Sequence, residues 1–163
     1  MDRLRNFGFL LAELHRRYVL LFEQLAQGTG LNLTTCRALA YLERHQGASQ
    51  ARLAELAGIE PMALVRVLDR LQADGLVRRQ PDPTDRRAHR LELCEAAQPV
   101  LQRIRLLSQR AREQVFAGIE TPEREQFLHL LERLADNLEP VCSPPPARRR
   151  VARRVSAAHV ARR

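Results

Sequence analysis

Residues 49–77 read SQARLAELAGIEPMALVRVLDRLQADGLV. Ser49 is a helix cap, because a serine hydroxyl can accept from a backbone N–H of the first turn. Behind it a short helix over 50–57 puts Leu53, Leu56 and Ala57 on one face. Gly58 stands where a helix end needs a residue that tolerates a left-handed backbone. Pro61 suits the first turn of a following helix, where there is no intrahelical N–H bond to lose. That helix covers 61–74, turns Leu64, Val67, Leu68 and Leu71 inward and stops at Gly75. Its opposite face carries Met62, Ala63, Val65, Arg66, Asp69 and Arg70. Helix, glycine turn, helix is the plan of a helix-turn-helix. Its first helix braces the second against a duplex whose major groove admits one α-helix.

Downstream the period changes to two. Leu76–Arg79 and Arg90–Leu93 alternate as short strands, and Gln80–His89 between them is rich in Pro, Asp and Thr. The expectation is a β-hairpin with a basic tip at Arg86 and Arg87. Upstream, 4–27 is a long helix, with Leu4, Phe7, Leu11, Leu14, Tyr18, Leu21 and Leu25 on one stripe, ended by Gly28 and Gly30. Asn32 caps a second helix over 33–45 that turns Leu39 and Leu42 inward. After the hairpin, 96–118 turns Leu101, Ile104, Leu107, Ala111 and Val115 inward. Thr121-Pro122-Glu123 then starts a last helix, with Phe127, Leu131, Leu134 and Leu138 on its stripe and Pro140 as its end. The expected fold class is mainly α with a small β-hairpin wing, a winged helix-turn-helix.

At 163 residues the chain is one domain's worth. With 45% apolar and 28% charged residues it should fold. All 27 basic residues are arginine, set against 19 acids. Seven arginines (Arg148, Arg149, Arg150, Arg153, Arg154, Arg162, Arg163) lie in 144–163 with no acid, leaving 20 arginines against the 19 acids on the body. The overall pI of 11.0 points to nucleic acid, but the near-neutral body does not. The case for DNA must therefore rest on where the body's arginines sit. The segment 143–163, opening near Pro144-Pro145-Pro146, reads as a disordered Arg-rich tail. It is either an electrostatic arm that raises nonspecific DNA affinity or an extension of no consequence.

Cys36, Cys94 and Cys142 are too far apart for a disulfide framework or zinc site, and the five histidines form no close ligand pair. There is no glycine-rich phosphate loop and no G-x-S-x-G motif. These blanks lead to the expectation of no enzyme, no metal and no cofactor. No apolar run approaches the ~18–20 residues of a membrane span. Charges from Asp2 to Glu23 exclude the apolar core of a secretory signal, so a cytoplasmic protein without a membrane partner is expected.

Residues 49–77, together with RRQPDPTDRRAHRLEL at 78–93, resemble the MarR family of transcriptional regulators, and within it the SlyA-like branch. The likeness extends over about 4–139. Its most specific element is the Asp85-Arg86-Arg87 hairpin following Asp69-Arg70-Leu71. The resemblance implies a sequence-specific DNA-binding regulator, more often a repressor. It implies a homodimer built from 4–28 and 96–139, with 31–94 binding DNA and each subunit taking half of a pseudopalindromic operator. Arg66 would be the recognition-helix contact, Arg86 and Arg87 would enter the minor groove, and Asp85 would orient an arginine there. A narrow minor groove attracts arginine, and an aspartate can hold a guanidinium bidentately.

The family also takes small aromatic or phenolic effectors between dimer helices and winged domain. His15 and Tyr18, with Arg16 and Arg17, are the residues here for such a site; ordinary dimer packing and a solvated basic face is the other reading. Peroxide-sensing members use a cysteine in the first long helix, and this chain has none there. Cys94 stands where the family usually has threonine; a thiol is a poor cap, so a small loss of stability is expected.

Chemistry alone assigns Met62, Ala63, Val65 and Arg66 to base edges, since apolar groups meet thymine methyls and arginine grips guanine or phosphate. Arg70 either touches DNA or pairs with Asp69. Arg78 and Arg79 alternate faces, so at most one points at phosphate. Ser49 is a cap first and a phosphate contact second. Double-stranded DNA is the expected partner. The rival from another class is a protein-interaction adaptor that keeps the fold without the DNA contacts, which the near-neutral body favours.

Overall fold

The structure, a computed structural model, describes residues 3–82 and 89–142, with side chains over 5–82 and 89–138. A 3-10 turn (Arg3–Asn6) leads into α1 (Phe7–Ala26), α2 (Leu33–Arg44), α3 (Gln50–Ala57) and α4 (Pro61–Ala73). Then come β1 (Val77–Pro81) and β2 (His89–Leu93), antiparallel, in register from Val77 opposite Leu93 to Pro81 opposite His89. A 3-10 turn (Glu95–Ala97) precedes α5 (Gln98–Val115), and α6 (Thr121–Cys142) follows. Two compact units result, Met1–Ala117 and Gly118–Arg163. The architecture is the mainly helical, hairpin-bearing fold expected.

Caps set the helix starts. Asn32 Oδ1 accepts from the Thr35 N–H at 2.8 Å, and Ser49 Oγ accepts from the Arg52 N–H at 3.2 Å. α4 has a cap that the sequence does not announce: Glu60 Oε2 accepts from the Ala63 N–H at 2.8 Å. Glutamate is outside the usual capping set, so only the geometry reveals it. The turn between α3 and α4 favours glycine through its backbone, and Arg37 packs close beside it. Gly58 has φ +56, and a Cβ there would stand 3.1 Å from Nη2 of Arg37. That guanidinium donates to the Ala57 carbonyl, fastening α2 to the end of α3, where a cation complements the helix dipole.

One core joins α2, α3, α4, the hairpin base and α5 through buried Leu39, Leu42, Leu53, Leu64, Leu68, Leu91 and Leu101. Ala54 rather than Leu56 completes the inner face of α3. Val67 is only half-buried, at the flank of the Leu64–Leu68–Leu71 stripe.

The apolar stripes of the long helices are only partly covered. The buried residues of α1 are Phe22 and Ala26, while Phe7, Leu11 and Leu14 are exposed, together with Phe9 and Leu10. On α6, Phe127, Leu128, Leu131, Leu134 and Leu138 are exposed likewise. Periodicity identifies an apolar stripe but not the surface that covers it.

Four boundaries also differ. Pro140 does not end α6, which runs to Cys142; one hydrogen bond lost in a last turn costs less than one in the interior. α6 starts at Thr121 itself, with the Glu120 N–H donating to Glu123 Oε2 at 3.2 Å. The strands reach Pro81 and His89, so the hairpin loop is shorter than expected; proline is tolerated there at the end of an edge strand. A 3-10 turn replaces the first turn expected after the wing.

At that turn Cys94 occupies the cap position and makes no side-chain cap bond. Cys94→Ser is expected to stabilise the protein by about 0.5–1 kcal/mol, read as a raised urea midpoint with unchanged slope.

Candidate nucleic-acid interface

The outer edge of α4 is set by its core stripe. With Leu64, Leu68 and Leu71 buried, the 3.6-residue period turns Met62, Arg66, Asp69 and Arg70 outward. Met62 is 60% exposed, an uncovered apolar side chain in the first turn. Val65 is half-buried at one flank. Ala63 is half-buried as well and packs in part against the core, one helical step from the exposed edge. Ser49 uses its hydroxyl oxygen as the α3 cap, its first expected role.

The arginines separate sharply. Arg70 lies 3.9 Å from Asp74, not on Asp69. Asp69 belongs to Arg79 of β1, whose Nη2 donates to Asp69 Oδ1 and whose Nη1 donates to Gln72 Oε1, both at 2.7 Å. Strand alternation turns Arg79 toward α4, and acceptors three residues apart on the helix meet both prongs of its planar fork. Arg78 pairs with Glu92, its cross-strand neighbour, at 2.7 Å. Both therefore have carboxylate partners within the protein. Arg90 holds Asp82 at 2.7 Å across the mouth of the hairpin, and Arg52 holds Glu55. Arg66 alone among the described arginines from Ser49 to Leu93 has no hydrogen-bond or ion-pair partner among the described residues. Asp85, Arg86 and Arg87 lie outside the described residues.

Arg79 thus ties the wing to α4. Arg79→Leu, which keeps the stem, is expected to cost about 0.5–1.5 kcal/mol of stability. It should also weaken DNA binding while leaving the salt slope unchanged, because no phosphate contact is removed. A slope reduced by about one would show instead that Arg79 reaches the backbone.

The base of the hairpin is held from the other side. Leu91 exchanges backbone bonds with Gly47 (2.9 Å) and Ala48 (3.0 Å), and Gln46 Oε1 accepts from the Leu93 N–H at 3.1 Å.

A cavity of about 400 Å3 lies between α1, α2 and α5, lined by both His15 and Tyr18 with Phe22, Tyr41 and Ile104. Arg16 and Arg17 are not on its lining. Both hold Glu13, at 2.8 and 2.6 Å, and bring its carboxyl down to about 2 through the hydrogen bonds they donate. Arg37 lines the cavity instead, an assignment that no spacing in the sequence predicts. Cys36 also borders it; burial pushes its thiol up to about 11, so it stays protonated and unreactive at neutral pH.

Among the described residues no group of three or more His, Cys, Asp or Glu is placed to hold a metal ion. No described helix is long and apolar enough to cross a membrane.

Known proteins share this geometry. The family model of the MarR family matches residues 29–88. A transcriptional regulator of the MarR family from Silicibacter pomeroyi is 33% identical, with 80% of this chain and 88% of that chain covered and a TM-score of 0.71. BpsR of Bordetella bronchiseptica, whose DNA binding is regulated by 6-hydroxynicotinic acid, is 23% identical over 80% of this chain and 99% of its own, with TM-score 0.73. A mutant MarR of E. coli complexed with operator DNA is 19% identical over 82% and 96%, with TM-score 0.71. The last two likenesses concern the fold.

Proposed function

The chain belongs to the MarR family of transcriptional regulators, and from that premise we propose that it binds double-stranded DNA as a homodimer and represses transcription at a pseudopalindromic operator. The observation that carries this reading is the guanidinium of Arg66, without a partner among the described residues, beside exposed Met62, while Arg70 and the nearby Arg79 are tied to carboxylates. A helix entering the major groove needs a donor of this kind, uncommitted within the protein. Residues 31–94 form the DNA-binding part, with Met62, Val65 and Arg66 at base edges, Ala63 at the flank and Arg70 and Ser49 near phosphates. Arg86 and Arg87, oriented by Asp85, supply the wing contact, and this wing favours the SlyA-like branch. The dimer uses 4–28 and 96–139, supported by the exposed apolar faces on α1 and α6; faces of that extent mark interaction surfaces. The protein acts in the cytoplasm, where its operator is. The cavity at His15 and Tyr18 supports a small aromatic or phenolic effector.

The test is to sequence genomic fragments retained by the purified protein at two salt concentrations. Enrichment of one two-fold motif at the higher salt is expected; no retention at either salt would favour the adaptor, a reading that the near-neutral body charge supports, and retention without enrichment would remove the sequence specificity. The tail, outside the described residues, is the electrostatic arm in this scheme. Deleting 144–163 is expected to flatten the salt dependence of binding and leave the motif unchanged. An unchanged slope removes the arm.

A further inference from the structure

Glu60 stands at the amino end of α4, next to Pro61, and is exposed. Its Oε2 accepts from the Ala63 N–H at 2.8 Å. Its Oε1 has no hydrogen-bond partner among the described residues. The acids further along this helix have cations: Asp69 pairs with Arg79, and Asp74 lies 3.9 Å from Arg70. Glu60 has no ion pair among the described residues. An uncompensated carboxylate therefore sits two residues from exposed Met62. This is the end from which a recognition helix reaches base edges.

A carboxylate in that place does two things. It takes up an N–H of the first turn and offsets the positive end of the helix dipole, so this helix start does not attract a phosphate. Beside base edges it acts only as an acceptor. In the major groove cytosine presents a lone donor, N4–H2. Guanine presents two acceptors, thymine presents one, and adenine sets an acceptor beside its donor.

We infer that Glu60 is a specificity-determining residue: its free oxygen accepts from N4 of one cytosine in each half-site and rejects guanine and thymine there. The inference rests on the function proposed above. Glu60 and Arg66 are six residues apart, about 9 Å along a helix. At about 3.4 Å per base step, the cytosine lies roughly two to three pairs from the base that Arg66 grips. The same charge repels the phosphates of any duplex. Glu60 thus lowers affinity for all DNA while widening the gap between right and wrong sites.

Two variants separate base reading from helix capping. Glu60→Ser keeps a capping oxygen and removes the charge. Glu60→Gln keeps the shape and an acceptor oxygen but adds an amide donor. Each full-length protein enriches duplexes from a random pool, and affinities are then measured on the parent's motif and on an unrelated duplex. The parent is expected to prefer cytosine to thymine by about tenfold at one symmetric position. Glu60→Ser should shrink that preference to about twofold or less and keep the rest of the motif. It should also bind the unrelated duplex about threefold or more tightly, at the parental melting temperature. Glu60→Gln should move the position from cytosine to a base that presents an acceptor. An unchanged cytosine preference in both variants would overturn the inference. So would weaker binding with a lowered melting temperature in both, the signature of a cap alone. A parent that enriches no motif refutes the proposed function and this inference with it. A parent motif in which no position responds to residue 60 refutes the inference alone.

Discussion

Arg66→Ala is expected to weaken operator binding by about 1–3 kcal/mol per half-site, a loss of roughly five- to 150-fold for each. Among the arginines described around the helix-turn-helix and the wing strands, this one is the donor not already spent on a carboxylate. In a two-fold complex both half-sites lose it, so the total effect is larger than that of one contact. The same variant should melt like the parent protein, because Arg66 is exposed and makes no internal bond to a described residue. Quantitative gel shift against the enriched motif, with differential scanning calorimetry alongside, checks both halves. Lost binding with an unchanged melting temperature is the expected pair. Unchanged binding at moderate salt would remove α4 from DNA recognition.

Leu68→Ala should behave in the opposite way. Leu68 is 1% exposed at the centre of the α4 stripe, between buried Leu64 and Leu71. Removing its branched end leaves a cavity in a core shared by α2, α3 and α4. The expected destabilisation is about 2–5 kcal/mol, depending on how far the neighbours close in. Urea denaturation would show a lowered midpoint at unchanged slope. Below the midpoint, the folded fraction should still recognise the operator with parental affinity, since Leu68 touches no solvent. A variant as stable as the parent would mean that α4 does not rest on this core. Together the two variants separate a residue that presents the interface from one that holds it in place.

Much of this was legible in the chain. The glycine at 58, the caps at Asn32 and Ser49 and the proline at 61 act within four residues of themselves, and the structure puts each in its expected role. Leu64, Leu68 and Leu71 are buried where the period places them. Arg66 and Met62 face outward for the same reason. The pairing of Arg79 was not legible. Asp69 and Gln72 are visible as an i, i+3 pair, but which strand residue reaches them depends on how β1 crosses α4. Glu60 as a cap and Arg37 at the turn were missed because both depend on a side chain reaching a site that its type does not announce.

The distinction follows the range of the forces. Chain alone decided the elements, most of their starts and the central stripe of each face, because steric limits and the helical period operate between near neighbours. Three-dimensional packing alone decided which arginines are spent and which remain available, because an ion pair forms only where two elements meet. It also decided that the apolar stripe of α1 is uncovered over its first half and that three guanidiniums share one cavity beside α4. Charge counted along the sequence is nearly balanced over residues 1–143; charge arranged in space leaves Arg66, on the exposed edge of α4, without a partner among the described residues.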